Sequence, residues 1–349
     1  MMCHAPYKPA WFLRNGAIAT VSTALWGKRY WQNTISHPEP PYQKTVLLGG
    51  QDVPIHTWIA IPKNAQSTIV GTYGITGELE NEWLMRLLGA KAYAQGFAVV
   101  LFDWRGHGKT AELSPTLTSD GLFEGEDFVR IAAAAAAMGC PKPFWFTGYS
   151  LGGQLALWGL KKAADLTKEQ EYFGLTYIDI AGGTVLCPNL DSVRSLSYLV
   201  SYPVGRYFEA AITKNLKSLA WRIHDHHPGS LDPEAIKRAN SIWGFDQELV
   251  IPQLGFSSVE EYYKASSALQ LLPEISKPTL IIYAADDPFF DPAIIPDLQA
   301  ACADNPLLDL ILTRYGGHMG YMSSKQGQQQ AQDPDPWWAW NRVLQWLCK

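Results

Sequence analysis

The chain reads as an α/β protein: eight strands in a mainly parallel, doubly wound sheet, with a helical lid inserted between two of the later strands. Three observations predict this. Strand-like runs alternate with helical stretches from Thr68 onward, as successive βαβ units do. The stretch "FWFTGYSLGGQ", opening at Phe144, sets a short apolar run before a turn of small residues and a leucine- and alanine-rich helix. Between residues 190 and 270 the alternation stops and the texture turns helical and aromatic, before a strand-like run resumes at Pro278.

The expected strands, in order, are "TVLL" from Thr45, "IHTWIAI" from Ile55, "TIVGTY" from Thr68, "FAVVLFD" from Phe97, "FWFTG" from Phe144, "YIDIAGGTVL" from Tyr177, "PTLIIYAA" from Pro278 and "LLDLILT" from Leu307. Among the helices, "IAAAAAAMG" from Ile131 packs on the core, because alanine is the best helix former and allows close approach to a sheet. A helix over Gln154 to Ala164 follows the turn. The last one, in "DPWWAWNRVLQWLCK", starts at an Asp-Pro pair and lines Trp337, Trp340, Leu344 and Leu347 along one face for the core. The boundaries follow: residues 1–40 are an N-terminal extension packed on the core, 41–189 and 271–349 the core, and 190–270 the lid.

A length of 349 residues with 47% hydrophobic and 17% charged side chains suits one large domain with an insertion. Lys and Arg number 28 against 33 Asp and Glu, a net charge of -5 without a basic stripe, which excludes nucleic acid as a partner. Cys3, Cys140, Cys187, Cys302 and Cys348 are scattered with no C-x-x-C spacing, so neither a zinc site nor a disulfide framework is indicated and a reducing, cytoplasmic location fits. "GAIATVSTALW" is too short to span a bilayer and is unlike a cleavable leader. Peripheral membrane contact stays open, and nothing bears on oligomeric state.

Ser150 sits on the turn after the Phe144 strand, bracketed by Gly148 and Gly152 at G-x-S-x-G spacing. Such a turn is too sharp for a β-carbon on its flanks, strains the serine backbone and thrusts the hydroxyl outward, which is the geometry of a nucleophile. A hydroxyl becomes nucleophilic only when an imidazole takes its proton, and that imidazole needs an acid to hold its tautomer. His318, in "LTRYGGHMG", lies directly after the terminal strand, where two glycines let the loop swing over the sheet. For the acid, "LIIYAADDPFFDP" ends a strand with Asp286 and Asp287, of which only one can face the imidazole. An oxyanion hole needs two backbone N–H groups: Leu151, after the serine, and Ile75, in "GTYGITGE" after the third strand.

Together these residues resemble the α/β-hydrolase superfamily, and more narrowly its YheT-like branch. "YKPAWFLRNGAIATVSTALW" is similar to the branch's N-terminal pattern, with Ala17, Ile18 and Ala19 where His-Leu-Gln is usual, and "SIWGFDQELVIPQLGFSSVEEYYKASSALQLLPEISKPTLIIYAADDPF" is similar to its late-lid to acid segment. The resemblance covers most of the chain, least from about residue 189 to 239. It implies the order serine, acid, histidine; that the acid is Asp287, which precedes Pro288, with Asp286 a turn or cap residue; and that Tyr73-Gly74 stands where many relatives have His-Gly. It further implies a serine hydrolase with no cofactor and no metal, acting on carboxylic esters, lipid-like ones among them.

Two other stretches invite rival readings. "DWRGHGKT", from Asp103, lacks phosphate-loop spacing and reads as structural support beside the site. "HDHHPG", from His224, lacks the spacing of a zinc site and reads as a polar lid loop. The same triad would serve an acyltransferase if an alcohol replaced water, and a pocket without chemistry would make a binding protein. A dehalogenase would need a carboxylate nucleophile.

Overall fold

The computed structural model describes residues 4–166 and 174–348; Cys3 lies outside them, and the other four cysteines are free. The eight strands are β1 Gln43–Leu48, β2 Pro54–Ala60, β3 Ser67–Thr72, β4 Phe97–Phe102, β5 Phe144–Tyr149, β6 Ile180–Leu186, β7 Thr279–Ala284 and β8 Leu308–Thr313, in the order β1-β2-β4-β3-β5-β6-β7-β8. β1 and β2 pair antiparallel, as do β2 and β4, and every later pair is parallel.

Both faces of the sheet are covered, and β5 shows how. The Phe146 ring packs on Phe128 of the helix Glu124–Ala137, with centroids 5.1 Å apart. Thr147, next in the strand, points to the other face. It lies in register with Gly71, where an added β-carbon would meet the Met85 methyl of the helix Trp83–Ala94 at 2.7 Å. A strand walled on both faces must be apolar throughout, and β4 "FAVVLF" is buried at all six positions.

Between β6 and β7 the chain builds its own helical layer, chiefly Ser192–Ser201, Pro203–His226, Pro233–Arg238 and Val259–Ser266. Local chemistry starts each helix: the Asp191, Asp232 and Ser258 side chains accept backbone N–H groups at three N-termini, and Pro203 opens the long helix where a missing N–H costs nothing. Leu216, Ile223, Ile236, Phe245 and Tyr262 form its core, which reaches down to Ala111 and Leu117 of the sheet domain.

Some elements differ from expectation. Residues 177–179 form a 3-10 turn closed by reciprocal Thr176 and Asp179 bonds, so β6 starts at Ile180. His224 and His226 belong to the helix Pro203–His226 and the loop starts only at His227. The last helix is Trp338–Leu347, without an Asp cap, and it is buried nearly all round rather than along one face. The alanine run lies in a helix that begins earlier, at Glu124, and the helix after the serine begins at Leu151. Among the described residues no helix is long and apolar enough to cross a membrane.

Candidate active site

Ser150 follows β5 and precedes the helix Leu151–Ala163 with φ 54° and ψ -128°, a conformation that L-residues rarely hold. The surroundings enforce it. Ser150 N donates to Leu186 O at 3.0 Å, and Ser150 O accepts from Gly153 N at 3.0 Å and Asn189 N at 3.1 Å. A β-carbon on Gly148 would lie 2.1 Å from Gly152 O, and one on Gly152 would lie 2.3 Å from Tyr73 O, so the turn closes only with glycine at both places.

Asp287, three residues beyond β7, reaches His318, five beyond β8: Asp287 Oδ2 lies 2.8 Å from His318 Nδ1. A carboxylate only accepts, so Nδ1 carries the proton and Nε2 keeps its lone pair. Asp286 turns the other way and accepts Gly317 N at 2.9 Å, bracing the histidine loop; burial, with the charge of Asp287 adding, holds its carboxyl above the usual range. From the far side, Thr20 Oγ1 accepts His318 N at 2.8 Å. Phe289 and Phe290 lie 4.5 and 5.2 Å from the imidazole, centroid to centroid. The structure thus joins Asp287 to His318, whereas among the described residues no hydrogen bond ends on the Ser150 hydroxyl.

The loop after β3 passes directly over the serine. A β-carbon on Gly74 would lie 2.9 Å from Ser150 Cβ, and Ile75, Ser150 and Leu151 line one cavity. What holds this loop is a residue that sequence reasoning did not single out. Buried Asp103 accepts from Tyr73 Oη at 2.5 Å and Leu79 N at 2.8 Å on the loop, from Lys109 N at 3.1 Å on its own turn, and lies 2.7 Å from His56 Nδ1. Tyr73, fully buried, therefore ties the loop down through its hydroxyl. The available signal was an aspartate directly after β4 in "DWRGHGKT", a stretch that both supports the loop and, through Trp104 and His107, walls the cavity.

That cavity, about 120 Å³ and partly open to solvent, runs from Ser150 under the inserted helices. Leu196, Leu199, Ile212, Leu216, Leu219 and Phe245 supply much of its wall. His107 stacks on Trp104 at 3.5 Å and its Nδ1 donates to Arg105 O at 3.1 Å; burial pushes its pKa down to about 4, so the ring is neutral at ordinary pH. The polar edge holds Asp120 from the sheet domain and Asp246 from the insertion. Burial, with Glu124 adding, pushes Asp120 up to about 7; burial and then the charge of Asp120 push Asp246 well above its usual range, and the Tyr263 hydroxyl donates to Asp246. Among the described residues no three His, Cys, Asp or Glu side chains are grouped to hold a metal.

A model of the alpha/beta hydrolase family matches residues 79–329. The chain is 52% identical over 346 residues to a Synechocystis protein named "Putative esterase slr0264", covering 98% of this chain and 94% of that one. It is 27% identical to the Escherichia coli protein named "Putative esterase YheT", over 88% and 84% of the two chains. It is 24% identical to a monoacylglycerol lipase of Saccharomyces cerevisiae, over 78% of this chain and 58% of that one. Among solved structures, a Pyrococcus furiosus esterase superposes with a TM-score of 0.52 at 15% identity, over 85% of this chain and 96% of that one, a likeness of fold. With a family model over most of its length and a relative sharing half its residues, the chain belongs to the alpha/beta hydrolase family, as an esterase- and lipase-like member of the YheT-like branch.

Proposed function

We propose that the protein hydrolyses carboxylic esters with apolar acyl chains through an acyl-enzyme on Ser150, with the helices of residues 190–270 as a lid that forms the acyl pocket. The observation that carries this reading is Ser150, held at φ 54° at the edge of a cavity walled by leucines, and a histidine, bonded to an aspartate, that packs on Phe289 of the same wall. The yeast relative named a monoacylglycerol lipase agrees with a lipid-like substrate.

In this mechanism His318 Nε2 takes the hydroxyl proton as Ser150 Oγ attacks the ester carbonyl, while Asp287 stabilises the imidazolium. The oxyanion is met by the N–H groups of Leu151, which lies at a helix N-terminus where backbone donors are free, and Ile75. Collapse breaks the ester C–O bond, and His318 returns its proton to the departing alkoxide, leaving an alcohol and acyl-Ser150. Water then attacks the acyl carbon with His318 as base, releasing the carboxylic acid and restoring the hydroxyl. The test is labelling with a fluorophosphonate: wild type should be labelled and Ser150→Ala should not, and equal labelling of both would overturn the assignment.

A further inference from the structure

The N-terminal helix is turned the opposite way to a core helix. Gly16–Ser22 runs on through Thr23–Gly27 to Tyr30, and its small residues Gly16, Ala19, Thr23 and Gly27 face the protein. Its large apolar residues face out: Ile18, Val21, Leu25 and Trp26 are 50%, 41%, 72% and 40% exposed, and Trp11 and Phe12 of the preceding turn 81% and 48%. The inward choice has a clear cause. A β-carbon on Gly16 would lie 1.7 Å from Asp286 O, and one on Gly27 would lie 2.5 Å from the Trp83 ring. Trp26 also rests against Tyr30 and Trp337, but Ile18, Val21 and Leu25 do not pack on the core, and a helix facing water ordinarily carries polar residues there.

The charge around this stripe is equally one-sided. Residues 1–38 hold Lys8, Arg14, Lys28 and Arg29 and no acid, so all 33 acidic residues of a chain with net charge -5 come later. Arg14, Lys28 and Arg29 are exposed beside the apolar side chains. Apolar bulk with Trp and Phe, accompanied within its own segment by cations alone, is the composition of a segment that lies in the boundary of an anionic bilayer.

We infer that Trp11, Phe12, Ile18, Val21, Leu25 and Trp26 form a docking surface for an anionic membrane, with Arg14, Lys28 and Arg29 pairing with lipid phosphates. A second copy of this chain is a poorer occupant, since a two-fold contact would bring these cations against their own copies. The surface also lies against the reaction centre. Thr20 holds His318 N, and Gly16 packs on the Asp286 carbonyl. Lys28 further shares a cleft with Thr76, Glu78, Arg222 and Leu219, and Leu219 also walls the Ser150 cavity. Docking here sets the catalytic loops at the lipid boundary. The inference goes beyond the esterase reading and does not depend on it, because vesicle binding is measured without turnover.

The test is sedimentation of the full chain with vesicles of phosphatidylglycerol and phosphatidylcholine, or of phosphatidylcholine alone, at low and high salt. Wild type should sediment with the anionic vesicles and release as salt rises. A Trp11→Ser, Leu25→Ser double variant should lose binding by a factor on the order of ten or more, with kcat/KM for a soluble short-chain ester unchanged, which also reports that it is folded. Lys28→Glu with Arg29→Glu should remove the preference for anionic vesicles. Three results would overturn the inference: wild type staying in the supernatant at low salt, the Ser double variant sedimenting like wild type, or a dimer in solution that Leu25→Ser dissociates.

Discussion

Tyr73 donates its hydroxyl to Asp103 at 2.5 Å, and this bond, with that from Leu79 N to the same carboxylate, ties the loop over Ser150 to the end of the neighbouring strand. Both groups are buried, so the bond is exchanged for no water contact when it is lost. Tyr73→Phe should therefore cost about 1.5–3 kcal/mol of stability, as for hydrogen bonds to charged groups. Because the same loop carries Ile75, kcat should fall while KM changes little, the pattern of a lost transition-state contact. Asp103→Asn should be worse, since Asp103 also serves Leu79 N and Lys109 N. Thermal unfolding and steady-state kinetics on the two variants check this; a Tyr73→Phe protein with unchanged kcat would mean the loop is held without the bond.

The two adjacent aspartates should behave differently. Asp287→Asn leaves the shape intact but offers His318 Nδ1 a poorer partner, so kcat should fall by about 10⁴. Asp286→Asn keeps an oxygen for Gly317 N and should retain most activity, whereas Asp286→Ala removes the brace and should fall between the two. Kinetics on the three variants, with thermal unfolding as a fold control, decide the roles; equal losses in both Asn variants would contradict them.

How much of this was legible in the sequence depended on whether a feature was local. The turn at Ser150 was legible because its requirement for Gly148 and Gly152 lies within five residues. The strand ends placed Asp287 and His318 at one edge, since β7 and β8 are neighbours in the sheet. The Tyr73–Asp103 bond was not legible, because it joins the ends of β3 and β4 and depends on their parallel register. Propensity misled where capping overrode it: Tyr177 and Ile178 look strand-like, yet the Thr176–Asp179 capping box holds them in a turn. Periodicity misled at the last helix. The last helix has one evident apolar face, but Tyr7 covers Trp338 from the N-terminal segment and buries further sides. Ile18, Val21 and Leu25 have the spacing of a buried face and point to solvent, because only the small face of that helix fits against Asp286 and Trp83.

Stability should depend on pH through the acids that straddle the sheet domain and the insertion. Asp120 and Asp246 both have folded-state pKa values raised above their unfolded ones, with Glu124 close by. Their contribution is fully present below the unfolded value near 4 and is lost as pH rises through the folded value, about 7 for Asp120. Wild-type Tm should thus decline from pH 5 to pH 8.5. Asp246→Asn, which mimics the protonated group and can still accept from Tyr263, should match wild type at pH 5 and exceed it at pH 8.5. Differential scanning fluorimetry across that range checks the prediction, and parallel wild-type and variant profiles would refute it.

The wall of the cavity makes the sharpest demand on substrate. Leu196, Leu199, Ile212, Leu216 and Leu219 come from the insertion and face the space that begins at Ser150, so an acyl chain placed there exchanges water for leucine. Each buried methylene is worth about 0.8 kcal/mol, a factor of roughly four, and that gain reaches kcat/KM only as far as the wall extends. Soluble p-nitrophenyl esters from two to ten carbons should therefore rise in kcat/KM before levelling, with acetate a poor substrate. Leu216→Trp fills part of the same space, so it should move the optimum to shorter chains and leave acetate turnover nearly as it was. A wild-type profile that falls steadily from acetate would mean that the insertion only covers the site, and a Leu216→Trp profile of unchanged shape would mean that the acyl chain lies elsewhere.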